Sequence, residues 1–304
     1  MELVRIESLT KNYGNLTALD NVSFEIKRGE IVGYLGPNGS GKTTTLQAIT
    51  DLISIDEGNV YINQKNIASN KEKNISAVFD ANGLYPRLTV QENLEFFTRL
   101  KGVGKKKGNE LIDYFLSEFQ LESRRNSIVK SLSKGMQRKL AIARALLFKP
   151  ELLLLDEPFD GIDIESRDKI IKLIKKISKE SQIAVFLTSH VMADIEELAD
   201  KIIIINGGRI IKNDLRDNLL REPKIQCVHV RLAKAYEEKY LSEILAKFID
   251  PQYFSVFPNE IIIKLNEEDA DLDIPGLLFE NNIKFVEIYN NKQNLTETYL
   301  NYIK

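Results

Sequence analysis

Residues Gly36-Pro37-Asn38-Gly39-Ser40-Gly41-Lys42-Thr43 read G-x-x-x-x-G-K-[ST]. They lie between an apolar run, Glu30 to Leu35, and a helix-like run, Thr44 to Ile49. A glycine-rich turn with a strand before it and a helix after it is a unit built to hold phosphate. The glycines let the main chain turn tightly and aim its N–H groups inward at anionic oxygens. The helix that follows adds the positive end of its dipole to the same anion. Lys42 is placed to reach the β- and γ-phosphates of a nucleoside triphosphate, and the Thr43 hydroxyl is placed to ligate Mg²⁺. The expected nucleotide-contacting loop is therefore Gly36, Pro37, Asn38, Gly39, Ser40, Gly41, Lys42, Thr43 and Thr44.

A second element lies far downstream. Glu151-Leu152-Leu153-Leu154-Leu155-Asp156-Glu157-Pro158 is a short apolar run ending in two carboxylates and a proline. Such a run suits a strand buried on both faces of a parallel sheet, and the C-terminal ends of such strands are where these sheets bind ligands. At the strand tip, Asp156 is expected to hold Mg²⁺ through water. Glu157 would face the γ-phosphate and orient or deprotonate the attacking water. Alone, this pair would read as a solvated acidic turn; together with the phosphate loop it reads as catalytic.

Between the two stands Leu132-Ser133-Lys134-Gly135-Met136-Gln137-Arg138-Lys139-Leu140, continuing into Ala141-Ile142-Ala143-Arg144-Ala145-Leu146. This segment resembles the LSGGQ signature of ATP-binding cassette (ABC) ATPases and the helix it opens. Other marks of that family stand in order. Tyr13, in Lys11-Asn12-Tyr13-Gly14, looks like the aromatic that stacks on adenine. Asp160-Gly161-Ile162-Asp163 resembles the D-loop, with Asp163 its closing aspartate, and Leu187-Thr188-Ser189-His190 resembles the H-switch. The resemblance covers roughly the first two-thirds of the chain, with six motifs in sequence. It implies that Ser133, Lys134, Gly135 and Met136 contact ATP held by another protomer's phosphate loop, and hence a homodimer of cassettes in the ATP state. It also implies a catalytic set of Lys42, Glu157 and His190, whose imidazole would contact the γ-phosphate. His229, outside any motif, is expected to be an ordinary strand residue.

Three departures from the family pattern stand out. The signature reads LSKGM, with Lys134 and Met136 in place of glycine and glutamine, while Ser133 and Gly135 are kept. The D-loop reads DGID and lacks the usual serine. Aligning Ile75-Ser76-Ala77-Val78-Phe79-Asp80 with the strand into the family's Q-loop puts Asp80 where glutamine usually stands. A carboxylate there can still ligate Mg²⁺, but it is shorter and cannot donate a hydrogen bond.

Composition bounds the setting. The 304 residues suffice for one large domain and one small one. A net charge of −2 and a pI near 5.9 supply no global basic field, so no nucleic-acid partner is expected. The single cysteine, Cys227, rules out an internal disulfide and suits a reducing compartment. No apolar run approaches the roughly 20 residues needed to cross a bilayer. The N-terminus alternates like a strand and lacks a signal peptide's apolar core.

The expected fold class is α/β: a P-loop cassette at 1–222 with an antiparallel β subdomain and a helical subdomain, then a small α+β domain at 223–304. Residues 3–24 alternate as strands around a turn at 12–15. Thr89-Val90-Gln91-Glu92 is a capping box opening a helix whose Val90, Leu94, Phe97 and Leu100 share a face. Gly102 to Gly108 reads as a solvated loop between helices, and Lys201 to Ile211 as a hairpin. Past Pro223 the order is β-α-β-β-α-β, with a helix at 234–248, another at Ile274–Glu280 and a terminal one at Leu295–Tyr302. This region resembles the C-terminal accessory domain of bacterial drug- and peptide-export ATPases, and is read as an interaction or dimer-supporting module.

Asn82 to Leu94 looks like the coupling region of exporters. The resemblance therefore implies the ATP-hydrolysing motor of an ABC transporter, an exporter, driven by ATP and Mg²⁺. It would sit on the cytoplasmic face of the membrane through a separate integral permease subunit. A soluble, non-transport ABC ATPase is the alternative. Ribosome-acting members usually carry two cassettes and DNA-repair members a long coiled coil, and this chain shows neither.

Overall fold

The computed structural model describes residues 1–70, 73–79, 83–221, 226–265 and 272–291. Two compact units divide between Arg216 and Asp217. The chain opens with β1 (Glu2–Tyr13), β2 (Leu16–Lys27) and β3 (Ile31–Leu35), then α1 (Lys42–Thr50), β4 (Glu57–Ile62), β5 (Lys65–Asn66) and β6 (Ile75–Val78). The helices α2 (Val90–Leu100), α3 (Lys105–Glu118) and α4 (Lys134–Leu146) follow. After them come β7 (Leu152–Leu155), α5 (Ile164–Ser181), β8 (Ala184–Ser189), α6 (Met192–Leu198), β9 (Lys201–Asn206) and β10 (Arg209–Leu215).

These strands form two sheets. An antiparallel sheet runs β2-β1-β4-β5, and a second runs β10-β9-β3-β8-β7-β6 with only its β10 edge antiparallel. The apolar runs explain the second: every residue of β3, β7 and β8 is buried, as a parallel sheet covered on both faces demands. One core joins the two sheets, with Leu3, Ile6, Leu19 and Ile26 of the first against Val32, Leu154 and Ile203 of the second. At its centre the rings of Phe24 and Phe186 stack 5.4 Å apart, with Tyr34 5.0 Å from Phe186. Burial pushes the Tyr34 hydroxyl far above its ordinary pKa, and that hydroxyl meets the Thr45 hydroxyl at 3.2 Å.

The helical layer corrects two expectations. Gly102 to Gly108 is not all loop: α3 begins at Lys105, and the Gly108 N–H bonds back to the Gly104 carbonyl at 2.8 Å. On α2, Val90 and Leu94 are buried as expected, but Leu100 is 70% exposed, and Asn93 and Thr98 are buried instead. The reason is a close approach of α3. A Cβ on Gly108 would lie 3.3 Å from the Thr98 hydroxyl, so the glycine lets α3 press on Thr98 rather than on the leucine side.

The second unit is a four-stranded antiparallel sheet, β12-β13-β11-β14, formed by β11 (Gln226–Leu232), β12 (Phe254–Phe257), β13 (Glu260–Leu265) and β14 (Phe285–Asn291). With α8 (Glu238–Leu245) and α9 (Ile274–Glu280) it has the ferredoxin-like order, and α7 (Arg216–Arg221) precedes it. Val228, Val230, Ile261 and Ile263 meet Leu241, Leu245 and Leu278 of the helices. α8 starts at Glu238, later than the expected 234. The Ala233 and Tyr236 N–H groups bond instead to the carbonyls of Lys284 and Pro258, so they are spent outside any helix. His229 lies in β11, stacked on Tyr289 at 5.2 Å and 2.9 Å from the Glu260 carboxylate. The helix expected at Leu295–Tyr302 and the Q-loop position Asp80 lie outside the described residues.

Candidate functional site

The C-terminal ends of β3, β7 and β8 open onto one cleft of about 610 Å³. Asn38, Gly39, Gly41, Lys42, Thr43 and Thr44 line it together with Asp156, Glu157, Asp160 and His190. Tyr13, Leu16, Thr17 and Ala18 line its other side. The loop after β3 is shaped by its glycines. Gly41 has φ +104°, and a Cβ there would stand 2.6 Å from the Ala18 carbonyl oxygen, so no other residue fits without displacing the main chain. Gly41 is also the N-cap of α1 and provides no side chain to close the helix. The first helical bond runs from the Thr45 N–H to the Gly41 carbonyl at 2.9 Å, so the amides of the turn before it have no helical acceptor.

Lys42 is buried and bends back over its own loop. Its ammonium donates to the Gly36 and Pro37 carbonyls at 2.8 and 3.2 Å and stands 3.5 Å from Oε1 of Glu157. The Thr43 hydroxyl donates to Oδ2 of Asp156 at 3.0 Å. Oδ1 of Asp156 accepts from the Thr188 hydroxyl at 2.7 Å, and the same hydroxyl accepts from the Glu157 N–H at 3.0 Å. Glu157 has φ +46°, a left-handed conformation rare outside glycine. Its Oε2 accepts from the His190 N–H at 3.2 Å and lies 2.9 Å from Nδ1 of the same residue. The cleft thus sets a lysine, a hydroxyl, two carboxylates and an imidazole around one space that a polyphosphate would fill.

The family described as ABC transporter matches residues 19–160. The bacitracin transport ATP-binding protein BcrA of Bacillus licheniformis is 36% identical over 220 residues, 71% of each chain. The linearmycin resistance ATP-binding protein LnrL of Bacillus subtilis is 38% identical over 236 residues, 74% of each chain. This chain belongs to the ABC transporter family. The sulfate/thiosulfate import ATP-binding protein CysA of Mesostigma viride is 30% identical over 301 residues, 94% of this chain and 86% of its own. Among solved structures, the dimeric post-hydrolysis state of the ATP-binding cassette MJ0796 bound to ADP and Pi shares 30% identity. It covers 70% of this chain and 99% of its own, with a TM-score of 0.65. The protein is an ATPase of the ABC cassette type.

Other sequence-marked residues of the cassette fall at defined places. Ser133 is the N-cap of α4, its hydroxyl accepting from the Met136 N–H at 3.2 Å, with Lys134 and Gly135 in the first turn. None of Ser133, Lys134, Gly135 or Met136 is among the residues lining the cleft around Lys42. A Cβ on Gly135 would lie 3.0 Å from the Gly161 carbonyl oxygen, so the signature packs closely on the D-loop. Asp163 caps α5 by accepting from the Ser166 N–H at 2.9 Å. Hydrogen bonds from Ser166, its hydroxyl first, hold the Asp163 carboxyl below the usual carboxylate range. Tyr13 ends β1 half-exposed, with the Lys11 ammonium 5.3 Å from its ring centre. Asp56 braces that strand end, accepting from the Asn12 N–H at 2.6 Å and from Lys11 at 3.3 Å, and the Asn12 bond is the main reason its carboxyl is held low.

Sequence reasoning missed Thr188 and Arg138. Thr188 had a signal: it is the one hydroxyl in the apolar run Ile183 to Thr188, and it is fully buried. Arg138 had none, because its partners are main-chain carbonyls far away in sequence.

Proposed function

We propose that this ATPase is the motor subunit of an exporter-type ABC transporter, working as a pair of cassettes with a separate membrane-spanning partner. The observation that carries the reading is the convergence of Lys42, Thr43, Asp156, Glu157 and His190 on one cleft at the ends of β3, β7 and β8. In this reading Gly36 to Thr44 hold the ATP phosphates, Tyr13 stacks on adenine, and Glu157 takes the proton of the attacking water while His190 orients that carboxylate.

The donor set suits Mg²⁺. The Thr43 hydroxyl and the Asp156 carboxylate stand side by side, and no group of three or more His, Cys, Asp or Glu side chains that could hold a metal exists among the described residues. Few protein ligands is the habit of an ion that keeps waters and phosphate oxygens. The ion would be held by Thr43 and Asp156, with Asp80 a further proposed ligand, and would neutralise charge on the β- and γ-phosphates. The buried Ser40 hydroxyl has no protein partner among the described residues, as a group awaiting a phosphate oxygen would.

The dimer reading is supported by the signature. Ser133 to Met136 form an open helix N-terminus apart from their own cleft, suited to an anion presented by a second copy. The partner reading is supported by a nearly apolar notch of about 510 Å³ along Tyr85-Pro86-Arg87-Leu88 and Lys130. Asn93 fixes this loop, donating to the Tyr85 carbonyl and accepting from the Tyr85 N–H at 2.8 Å. Among the described residues no helix is long and apolar enough to cross a membrane, so a membrane position on the cytoplasmic face would come through the partner. Export is favoured by the name of the linearmycin resistance relative, which exceeds both the sulfate/thiosulfate and the Fe(3+) import relatives in identity. Residues 1–222 would serve as the cassette and 223–304 as an accessory, dimer-supporting domain.

The test is co-purification from solubilised membranes with mass-spectrometric identification of the bound integral protein, followed by ATP-driven uptake into inside-out vesicles. An integral partner and uptake into such vesicles are expected. Release from preloaded inside-out vesicles would reverse the direction, and recovery without any integral protein would sink the transporter reading.

A further inference from the structure

We propose that Arg138 is a positioning residue for ATP hydrolysis, holding the Glu157 peptide in the left-handed conformation that aims its carboxylate at Lys42 and His190. The inference rests on the reading of Glu157 as the group that activates water. Arg138 lies in the second turn of α4, 5% exposed, with its guanidinium directed at the ends of two strands. Nη1 donates to the Phe79 carbonyl, just past β6, at 2.8 Å. Nη2 donates to the carbonyls of both Asp156 and Glu157, the latter at 2.7 Å.

Two consecutive carbonyls on one N–H₂ group are foreign to a regular strand, in which successive carbonyls point to opposite sides. The positive φ of Glu157 is what turns both toward the same side. Crowded carbonyl dipoles repel, and a buried cation between them offsets that repulsion while satisfying both acceptors. On the other side, the Thr188 hydroxyl takes the Glu157 N–H. The peptide is therefore gripped at its donor and at its acceptor. With the main chain fixed this way, Oε1 stands 3.5 Å from Lys42 Nζ and Oε2 lies 2.9 Å from His190 Nδ1. Without the guanidinium, the Glu157 peptide is free to return to the extended region, and the carboxylate swings away from both.

Such a residue acts on turnover and not on ATP binding. Arg138→Met keeps the length and removes every donor; its kcat should fall about tenfold or more while KM and the affinity for ATP stay within about twofold. Arg138→Lys, which returns one ammonium to the same carbonyls, should recover part of the rate. The decisive measurement is the double variant with Glu157→Gln. Because Arg138 acts through Glu157, Arg138→Met should add less than about twofold to the loss caused by Glu157→Gln. The proposal is overturned if the tenfold loss appears in full on top of Glu157→Gln, if the loss is shared by ATP affinity, or if folded Arg138→Met turns over like wild type. Should Arg138→Met melt at assay temperature, Arg138→Gln, which keeps a neutral donor without the charge, takes its place in the same cycle with the same expectations. A wild-type rate for Glu157→Gln alone sinks the reading on which the proposal stands, and is separable from any result at Arg138.

Discussion

Oε2 of Glu157 receives His190 twice, from its main-chain N–H at 3.2 Å and from its imidazole Nδ1 at 2.9 Å. The other oxygen of the same carboxylate lies 3.5 Å from the Lys42 ammonium. The loop after β8 and the loop after β3 are thus joined through one side chain on the loop after β7. His190→Ala removes the imidazole and leaves the main-chain donor, so Glu157 stays near its place but loses its orientation. Steady-state ATPase assays should show a rate lower by about 10², with ATP binding by equilibrium titration unchanged. Weakened binding would move His190 into nucleotide capture instead.

Lys42 spends its ammonium on the Gly36 and Pro37 carbonyls and on Glu157. Arriving phosphates must draw it away, and their charge is what outcompetes two neutral acceptors. Lys42→Ala should abolish measurable turnover and weaken ATP more than ADP, because the γ-phosphate loses its nearest cation. Equal weakening of the two nucleotides, read by calorimetry, would contradict that placement.

Glu157→Gln should retain ATP while hydrolysing it about 10² more slowly. With the γ-phosphate persisting, Ser133 and Gly135 of a second copy keep their ligand, and a dimer should accumulate in light scattering on addition of ATP. A variant that stays monomeric at saturating ATP, with its membrane partner present, would defeat the shared-site arrangement.

Asp163 offers a pH-dependent prediction. Its carboxyl is held low by the Ser166 hydroxyl and N–H at the start of α5. A folded pKa below the unfolded value of about 3.9 gives stability that is full above that value and fades as pH falls through the folded one. Asp163→Asn keeps a capping oxygen but does not titrate, so the advantage of wild type over Asp163→Asn should shrink below about pH 4. Asp163→Ala, without any cap, should melt a few degrees lower than either at neutral pH. A stability difference from Asp163→Asn that is flat across pH 3 to 6, read by thermal melting with buffer controls, would show that the carboxylate's charge contributes nothing there.

The features legible in the sequence were those encoded over a few neighbouring residues. Thr89 and Glu92 form both halves of the capping box, at 3.1 and 2.8 Å, because a helix start is settled within one turn. Leu152–Leu155 is buried throughout because a short unbroken apolar run has no solvent face. What escaped depends on which surfaces meet. The exposure of Leu100 in favour of Thr98 is set by Gly108 on another helix. The late start of α8 is set by the carbonyls of Lys284 and Pro258. The guanidinium of Arg138 grips three main-chain oxygens, and no side-chain pattern records where a carbonyl will point.

Helix α4 is roughly 20 Å long at 1.5 Å per residue. Its first turn carries Ser133, its second carries Arg138, and its third carries Arg144, which bonds the Gly83 carbonyl at 2.5 Å and lies over the Phe97 ring, itself 6.0 Å from Tyr85. One stiff rod thus runs from the signature, past the Glu157 carboxylate, to the footing of the Tyr85–Leu88 loop. A twist of that rod cannot be felt at one station and hidden from the others. Transplanting the Tyr85–Leu88 loop from a different cassette to change its membrane partner would therefore have to bring α4 along, or the borrowed loop would be bolted to a shaft cut for another machine.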